Sequence, residues 1–470
     1  MESGLPSLLL VSPLPPARNG IADYAAALAG ALAPHYRCSI ACEDWLAEVP
    51  PGVPVVDPAL AHRLPEASGR VLHQIGNNPG HGFVLRALRH LPGVTTLHDP
   101  GLLHLHESTG EAPAAILAGM CHAAPRLAAT YAAQLRDSGH TTRANHVLFD
   151  LAGEVLARSR AVVVHSRFAL HRLRLTHGAV ATAHVAVIPH PIPAEPPPGR
   201  AAARARLGIP ADAFLVVTAG FAARAKRLDW LAAALEGLPD IRWIHAGGVD
   251  PRQTEALAAR ATVTGHLEAG RFADHLAAAD VLVTLRFPSG GESSGPLARG
   301  LAAGVCCIVS DTGAYAELPR DAVIHLPLTD TIGALASTLA GLRDNPARAA
   351  AIGAAGQRHA QAEMTPAAVA RRYRDVIEAS RDRPVAAFPG PAPGPLLRSA
   401  ADPVMVAAAL AGRSGACRLR LQVPDLAVLA RLSLGPPGLL PGLLPPGAAI
   451  RGLRVEPDGL LLDLDLAGAG

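Results

Sequence analysis

The stretch DVLVTLRFPSGGESSGPLARGLAAGVCCIVSDTGAYAELP, residues 280–319, decides the fold. Its two apolar runs, residues 281–285 and 305–309, have the length of strands and predict a parallel sheet that is buried on both faces. Residues 288–295 lie between them and are rich in Pro, Gly and Ser, which predicts a loop. The stretch therefore predicts one strand–loop–helix–strand unit of an α/β protein.

The short helix in this unit is predicted to begin at the carboxyl end of a strand. Pro296 suits its first turn, Ser294 or Gly295 can cap it, and Gly304 suits the position just after its end. Free backbone N–H groups at such a helix start attract phosphate through hydrogen bonding and the helix dipole. With Glu292 beside it, the helix start suits a ligand that has both phosphate and hydroxyl groups. An ordinary strand-to-helix turn with solvated charges explains the same spacing equally well.

The segment ESSGPLARGLAAGVCCIVSD, followed by GAYAELP, resembles the donor-binding segment of retaining glycosyltransferases of family 4, the group 1 transferases. The resemblance implies a GT-B fold, in which two Rossmann-like doubly wound domains face a cleft. It also implies that the donor sugar nucleotide contacts Glu292 and the four residues Arg286, Ser293, Ser294 and Gly295. Many members have a second glutamate, associated with the donor's ribose, where this chain has Gly300 beside Arg299.

Length and composition bound the remaining possibilities. At 470 residues the chain is too long for one ordinary domain, and three domains are expected. A net charge of +3 gives no reason to expect a nucleic-acid partner. No apolar stretch is long enough for a membrane-spanning helix or a signal peptide. The six cysteines form neither a disulfide framework nor a zinc pattern. We therefore expect a reduced, cytoplasmic protein without a metal site.

The first residues predict the opening strand and helix of a doubly wound sheet. Residues 8–12 are an apolar strand, and a Pro/Gly loop leads into an Ala-rich helix from about Ala22. Asn19 and Gly20 would allow the backbone to approach a ligand closely. The family resemblance, carried here by NGIADY, implies that Gly20 faces donor phosphate, although a plain turn is an equal alternative.

A histidine ends another predicted strand, residues 94–97. His98 at that place can donate to a sugar hydroxyl or titrate near neutral pH, and the family often has a His-Asp pair there, with the His beside the donor sugar. The neighbouring residues Asp99, His104, His106 and Glu107 lack the spacing of known metal motifs. We expect His104 and His106 to lie on a loop or on a helix surface.

The second half contains the only lysine of the chain, Lys226, although Lys and Arg together number 42. A lone lysine in an arginine-rich chain suggests that a compact ammonium is required, which suits a diphosphate in a tight space. The family resemblance also places a donor-phosphate lysine here, usually with an arginine soon after Gly220. That position is Phe221, so Arg224 or Arg227 would supply the second charge. The resemblance further implies that His266 lies near the donor's base.

Three regions follow from these patterns. Residues 1–195 are expected to form the acceptor-side Rossmann-like domain, and residues 200–381 the donor-side domain, joined by the Pro-rich IPAEPPPG. The resemblance implies that a last helix, about residues 366–380, crosses back to the first domain. Residues 384–470 are outside the resemblance and contain a Pro-rich linker and two alternating runs, which predict a small β-like module or a disordered tail.

The resulting expectation is a hexosyltransferase that moves a sugar from a nucleotide-diphosphate sugar to an acceptor, with retention of configuration. The catalytic candidates are Lys226, Glu292 and His98, and no cofactor is required. A glycan or lipid-linked acceptor, as in polysaccharide biosynthesis, would fit, with possible contact to the inner face of a membrane. Two alternatives remain open: a catalytically inactive GT-B protein that binds a nucleotide sugar or a partner, and a sugar-nucleotide epimerase of the same fold.

Overall fold

The computed structural model describes residues 4–17, 19–44, 46–64, 69–110, 116, 119–120, 143–249, 257, 259–386, 388, 396–423, 443–446, 448–456 and 459–466. Its strands are β1 Ser7–Val11, β2 Arg37–Ala41, β3 Val55–Val56, β4 Val71–Ile75, β5 Val94–Leu97, β6 Ala161–Val164, β7 Val185–Val187, β8 Leu215–Ala219, β9 Arg242–Ala246, β10 Thr262–Val263, β11 Val281–Thr284, β12 Cys306–Ser310, β13 Ile324–Leu326, β14 Leu396–Ala400, β15 Gly415–Gln422, β16 Ala448–Glu456 and β17 Gly459–Leu466.

The described α-helices alternate with these strands. They are α1 Gly20–Leu32, α2 Gly82–His90, α3 Leu103–Ser108, α4 Arg143–Leu148, α5 Gly153–Arg158, α6 Arg167–Ala181 with a break at Gly178, α7 Arg200–Leu207, α8 Leu228–Ala234, α9 Ala269–Ala278, α10 Gly295–Ala302, α11 Thr331–Asp344, α12 Pro346–Glu363, α13 Pro366–Ser380 and α14 Pro403–Leu410. The Ala-rich sequence of residues 111–160 also predicts helices, and its part before residue 143 lies mostly outside the described residues.

The first sheet has seven strands in the order β3-β2-β1-β4-β5-β6-β7. Strand β1 pairs in parallel with β2, from Ser7 opposite Arg37 to Val11 opposite Ala41. Strand β4 pairs in parallel with β5. Strands β4, β5 and β6 are buried at every residue, as expected for a parallel sheet that helices cover on both faces.

The second sheet has six strands in the order β10-β9-β8-β11-β12-β13. Successive residues of β8 enter opposite cores: Leu215 and Val217 pack with α9 and α10, whereas Val216 packs with α8 and α11. Cys306 and Cys307 are buried on opposite faces of β12 in the same way, as small apolar residues. Two parallel-sheet, Rossmann-like domains are therefore present, and the predicted fold class is confirmed.

The strand order of the second sheet reverses between β8 and β11. From β8 the chain continues to β9 and β10 on one side, and from β11 it continues to β12 and β13 on the other. The connections that leave the carboxyl ends of β8 and β11 therefore diverge and leave a crevice between them. Residues 220–227 and 285–295 border this crevice, and both segments contain predicted site residues.

The chain divides into two compact units. The first comprises Met1–Asp57, Val163–His171 and Ala186–Ala379, and the second comprises Pro58–Val162, Arg172–Val185 and Ser380–Gly470. Within the first unit, helix α13 is hydrogen-bonded to the N-terminal residues. The hydroxyls of Tyr24 and Tyr373 lie 2.7 Å apart, and the Tyr36 hydroxyl donates to Glu378 at 2.7 Å.

The C-terminal residues of the second unit contain a four-stranded sheet in the order β14-β15-β17-β16. Strand β14 is parallel to β15, and the other two pairs are antiparallel. The alternation that predicted a β-like module reflects one buried face, which includes Leu419, Leu421 and Leu462. Most of GLLPGLLPPG lies outside the described residues. Across the part of the chain that is described, no helix has the length and apolar character needed to cross a membrane.

Candidate functional site

Two glycines allow unusually close packing at the carboxyl end of β8. Gly220 has φ +79°, and a Cβ atom there would lie 2.8 Å from Lys226 Nζ. A Cβ atom on Gly247 would lie 2.3 Å from the carbonyl oxygen of Gly220. Both positions therefore exclude a larger side chain, and Lys226 can lie directly over the backbone of Gly220.

The ammonium of Lys226 is held at this place by the strand end. Its Nζ donates to the carbonyl oxygen of Ala219, the last residue of β8, at 2.7 Å. Burial of the amine, together with the positive charge of Arg286, lowers the pKa of Lys226 to about 7. The amine is therefore divided between its charged and neutral forms near neutral pH.

Helix α10 begins beside Lys226. Ser294 is its N-cap, with Oγ accepting from the Leu297 amide at 3.2 Å, so of the two predicted caps the serine is used. Pro296 lies in the first turn, and its Cγ is 3.4 Å from the Cβ position of Gly220. The helix start and the lysine therefore flank the same glycine.

Three consecutive amides at this helix start are available for a ligand. Within the described residues, the backbone N–H groups of Ser293, Ser294 and Gly295 have no hydrogen-bond acceptor. Together with the helix dipole, they form a site that favours negative charge. Gly304 closes the helix with φ +69°, as predicted.

Glu292 and Arg286 organise the loop that precedes α10. Arg286 Nε lies 2.9 Å from Glu292 Oε1, and Glu292 Oε2 accepts from the Gly290 amide at 2.6 Å. The Arg286 amide donates to Ser310 Oγ at 3.0 Å, which fixes the loop to the end of β12. The carboxylate thus has two internal partners, although each oxygen keeps a further lone pair for a hydroxyl.

The two arginines proposed as a second charge have different surroundings. Arg227 has φ +50°, donates to Asp229 at 2.5 Å, and places its Cζ 4.2 Å from the ring centre of Trp230. Arg224 is exposed on the turn Arg224–Lys226 and has no ion-pair partner among the described residues. Arg224 is therefore the one whose charge is available to a ligand.

Packing explains why no glutamate stands at position 300. A Cβ atom on Gly300 would lie 2.3 Å from Leu282 Cδ2 and 3.3 Å from Cys307 Sγ. The preceding residue, Arg299, is partly exposed, and its Cζ lies 5.9 Å from the ring centre of Phe272. Helix α10 therefore offers a guanidinium where the family resemblance anticipated a carboxylate.

Three aromatic side chains beside α10 were not among the predicted site residues. The ring of Tyr24 lies 5.4 Å from that of His165 and 5.0 Å from that of His190. His190 Nε2 is 3.8 Å from the Cβ position of Gly295. Both histidines end apolar runs, VVVH and IPH, so the strand-end pattern that indicated His98 also applied to them.

Both of these histidines are neutral at physiological pH. Burial lowers the pKa of His165 to about 4 and, with the charge of His165, that of His190 to about 3. In the neutral rings, Nδ1–H donates to Ile188 in His165 and to Pro191 in His190, at 2.9 and 2.8 Å. Nε2 of His190 is therefore a hydrogen-bond acceptor near the start of α10.

The remaining predicted residues lie elsewhere. Gly20 is the first residue of α1, which begins two residues earlier than predicted because Asn19 Oδ1 accepts from the Ile21 and Ala22 amides. His266 is exposed after β10. His98 belongs to the second unit and is only 6% exposed, with Nε2 2.8 Å from Gln74 Oε1.

The prediction for the two histidines of α3 was half wrong. His104 is exposed, but His106 is buried, one turn after the buried Leu103 on the same side of this short helix. No three side chains of His, Cys, Asp or Glu are grouped as a metal ion would require, as far as the described residues extend.

Comparisons with known proteins show what the region around this site is similar to. Residues 224–375 match the family model described as glycosyl transferase-like. The D-inositol 3-phosphate glycosyltransferase of Kineococcus radiotolerans is 31% identical over 197 residues, which is 35% of this chain and 44% of that protein. The match therefore spans less than half of that relative.

Solved structures show the fold over a larger part of the chain. Sucrose-phosphate synthase from Thermosynechococcus elongatus has a TM-score of 0.58 at 20% identity, covering 80% of this chain and 100% of that one. The Anabaena protein HepE, in complex with UDP-glucose, has a TM-score of 0.55 at 13% identity, covering 79% and 99%. The two Rossmann-like domains therefore have the GT-B architecture of glycosyltransferase structures.

Proposed function

We propose that this protein transfers a sugar from a nucleotide-diphosphate sugar to the hydroxyl group of an acceptor. The observation that carries the proposal is that Lys226 Nζ and the start of α10, which bears the three free amides of residues 293–295, flank Gly220 at the strand-order reversal of the second sheet. Cleavage of the anomeric bond leaves negative charge on the diphosphate, and these groups would stabilise it without a metal. The glycosyl transferase-like match over residues 224–375 supports the same chemistry.

Each neighbouring side chain has a role in this scheme. Lys226 neutralises the leaving diphosphate, and Arg224 adds a second positive charge. Glu292, held by Arg286, uses its remaining lone pairs to orient sugar hydroxyls. The family resemblance also implies donor contacts for Gly20 and His98, and these two roles stay predictions.

Retention of anomeric configuration is part of the proposal. The acceptor hydroxyl would attack from the face that the diphosphate leaves, and a leaving phosphate oxygen would accept the hydroxyl proton. No dedicated nucleophile is needed in such a step. The proposed acceptor is a glycan or a lipid-linked sugar, and a phosphorylated polyol enters the test panel because the similar Kineococcus protein is named for one.

Transfer from a panel of nucleotide sugars, followed by NMR of the product's anomeric centre, tests this function. Lys226→Met and Glu292→Ala are expected to lose at least about 100-fold in kcat/KM, since charge-stabilising groups of this kind contribute about that much. Arg371→Met and Glu236→Ala are matched controls, because both residues are exposed and without partners among the described residues. Near-normal turnover in the two site variants would remove these roles.

One observation favours a second candidate, a protein that binds a nucleotide sugar without turning it over. Glu292 already has two internal partners, and α10 has no carboxylate at position 300. Tight donor binding by calorimetry, with neither hydrolysis nor transfer for any acceptor, would favour this candidate over the enzyme.

A further inference from the structure

A hydrogen-bonded chain of three buried side chains lies just below the carboxyl ends of β8 and β9. The indole N–H of Trp243 donates to Thr218 Oγ1 at 2.9 Å, and Thr218 Oγ1 lies 2.9 Å from His245 Nδ1. Thr218 and His245 are paired residues of the two strands, and all three side chains are at most 3% exposed. Because Val216 and its neighbours make this face of the sheet an apolar core, buried polar groups there require hydrogen-bond partners.

The chemistry of the three groups fixes the direction of each hydrogen bond in this chain. An indole nitrogen can only donate, so Thr218 Oγ1 accepts from Trp243 and has its own hydroxyl hydrogen left to donate. His245 Nδ1 accepts that second hydrogen bond, and this nitrogen therefore carries no hydrogen of its own. The imidazole of His245 is thus neutral, with its hydrogen on Nε2.

The ring hydrogen of His245 faces the backbone that borders the crevice. Nε2 lies 3.5 Å from the carbonyl oxygen of Gly248, which also accepts from the Ala222 amide at 2.8 Å. Burial, with the charge of Lys226, lowers the pKa of His245 to about 4. Hydrogen bonds from the ring to the carbonyls of Gly248 and Gly220 oppose this shift. The Nε2–H group therefore serves two carbonyls at the edge of the crevice.

These two carbonyls are competitors of a ligand for Lys226. Its Nζ already donates to the carbonyl oxygen of Ala219 and lies directly over Gly220, so another free carbonyl would take a further hydrogen of the ammonium. The partial negative charge of a free carbonyl oxygen would also repel a diphosphate in the crevice. A hydrogen-bond donor below the strand ends, such as Nε2–H of His245, engages these oxygens and leaves the ammonium to the ligand.

We propose that Thr218 and His245 are positioning residues, which hold the turns at Gly220 and Gly248 in the geometry that leaves Lys226 available to the donor's diphosphate. The assignment rests on the proposed function. Thr218 acts by keeping the hydrogen of His245 on Nε2. A ring with its hydrogen on Nδ1 would present a lone pair to the Gly248 carbonyl and repel it.

The tautomer of His245 is the first measurement, and it requires only the free wild-type protein. In ¹⁵N NMR of histidine-labelled protein at pH 7, the His245 signals are identified by their absence in His245→Gln. A hydrogen on Nε2 and none on Nδ1 is the expected result. A charged ring, or a hydrogen on Nδ1, overturns the positioning role.

Titration calorimetry with UDP-glucose, ADP-glucose and GDP-mannose then measures the effect on donor binding. Thr218→Val removes the hydroxyl and is expected to bind the preferred nucleotide sugar about tenfold more weakly, with hydrogen appearing on Nδ1 of His245. Thr218→Ser keeps the hydroxyl and should restore the wild-type tautomer, with affinity within about twofold. Val216→Ala is the matched control, because it removes buried packing from the same strand and face. It should lower the melting temperature without changing affinity.

The outcomes separate the positioning role from the function beneath it. Wild-type affinity in Thr218→Val overturns the role, and so does an equal loss of affinity in Val216→Ala, which would assign the loss to general instability. Both results leave the proposed function intact. Failure of the wild type to bind any of the three nucleotide sugars overturns the function and the role together. If Thr218→Val does not fold, Trp243→Phe frees the Thr218 hydroxyl to accept from His245, and an unchanged tautomer and affinity there overturn the role.

Discussion

Binding of a nucleotide sugar is expected to load a proton onto Lys226. In the free protein the pKa of this amine is about 7, because it is buried beside Arg286. A diphosphate at the helix start would restore a value near the ordinary 10.5 by pairing with the ammonium. Proton uptake on binding would then be about 0.1 at pH 6, about 0.5 at pH 7 and about 0.9 at pH 8.

The affinity should follow the same linkage. Because the ligand prefers the protonated amine, binding is strongest below pH 7 and weakens by up to about tenfold per pH unit above it. The folding stability of the free protein depends on pH in the opposite direction. Because folding lowers the pKa of this amine, the free energy of unfolding falls as the pH decreases from about 10.5 towards 7. Lys226→Met is therefore expected to raise the melting temperature of the free protein at pH 7.

Titration calorimetry in two buffers of different ionisation enthalpy measures this uptake directly. A nucleotide sugar is the suitable ligand, since its diphosphate is esterified at both ends and lacks the ionisation near pH 6 of a phosphate monoester. His245 is the other titratable neighbour, with a pKa of about 4, and Lys226→Met separates its contribution. Binding without proton uptake at pH 8, or equal uptake in Lys226→Met, would refute the reasoning.

Three further changes test the packing around the site. Arg286→Met should move the midpoint of proton uptake above pH 7, because it removes the neighbouring cation; an unchanged midpoint would show that burial acts alone. Gly300→Ala should lower the free energy of unfolding, measured in urea, by about 1–3 kcal/mol, since its Cβ would lie 2.3 Å from Leu282 Cδ2. An unchanged free energy of unfolding would mean that the Leu282 side chain moves aside without cost. Tyr24→Phe should cost about 1 kcal/mol by removing the 2.7 Å hydrogen bond to the buried Tyr373 hydroxyl, and the double Tyr→Phe variant should cost less than the two single variants added together. Additive costs would contradict this coupling.

Much of the local structure was predictable from short-range patterns. Apolar runs located β11 and β12 to within one residue at each end, because strands buried on both faces are dominated by apolar residues. The sequence also predicts a helix from Pro346 to Glu363, and α12 has these bounds, since Asn345 and Pro346 specify its start. The alternating tail likewise predicted strands, because one face of that sheet is buried.

The segments of the candidate site were also predictable, and for a related reason. Gly220, Ser294 and Gly304 occupy backbone positions with strict local requirements, and such residues are visible as single letters in the sequence. The rarity of lysine drew attention to Lys226 before any neighbour was known.

By itself, then, the amino-acid sequence determined the order of strands and helices, the fold class and the loop that leads into α10, because these depend on residues that are neighbours along the chain. Only the tertiary structure decided which groups are available to a ligand. It paired Arg286 with Glu292 and brought the rings of Tyr24 and His190 together beside the start of α10. These contacts join residues that are separated by a loop or by a long stretch of the chain, and no local propensity or spacing records the distance between them.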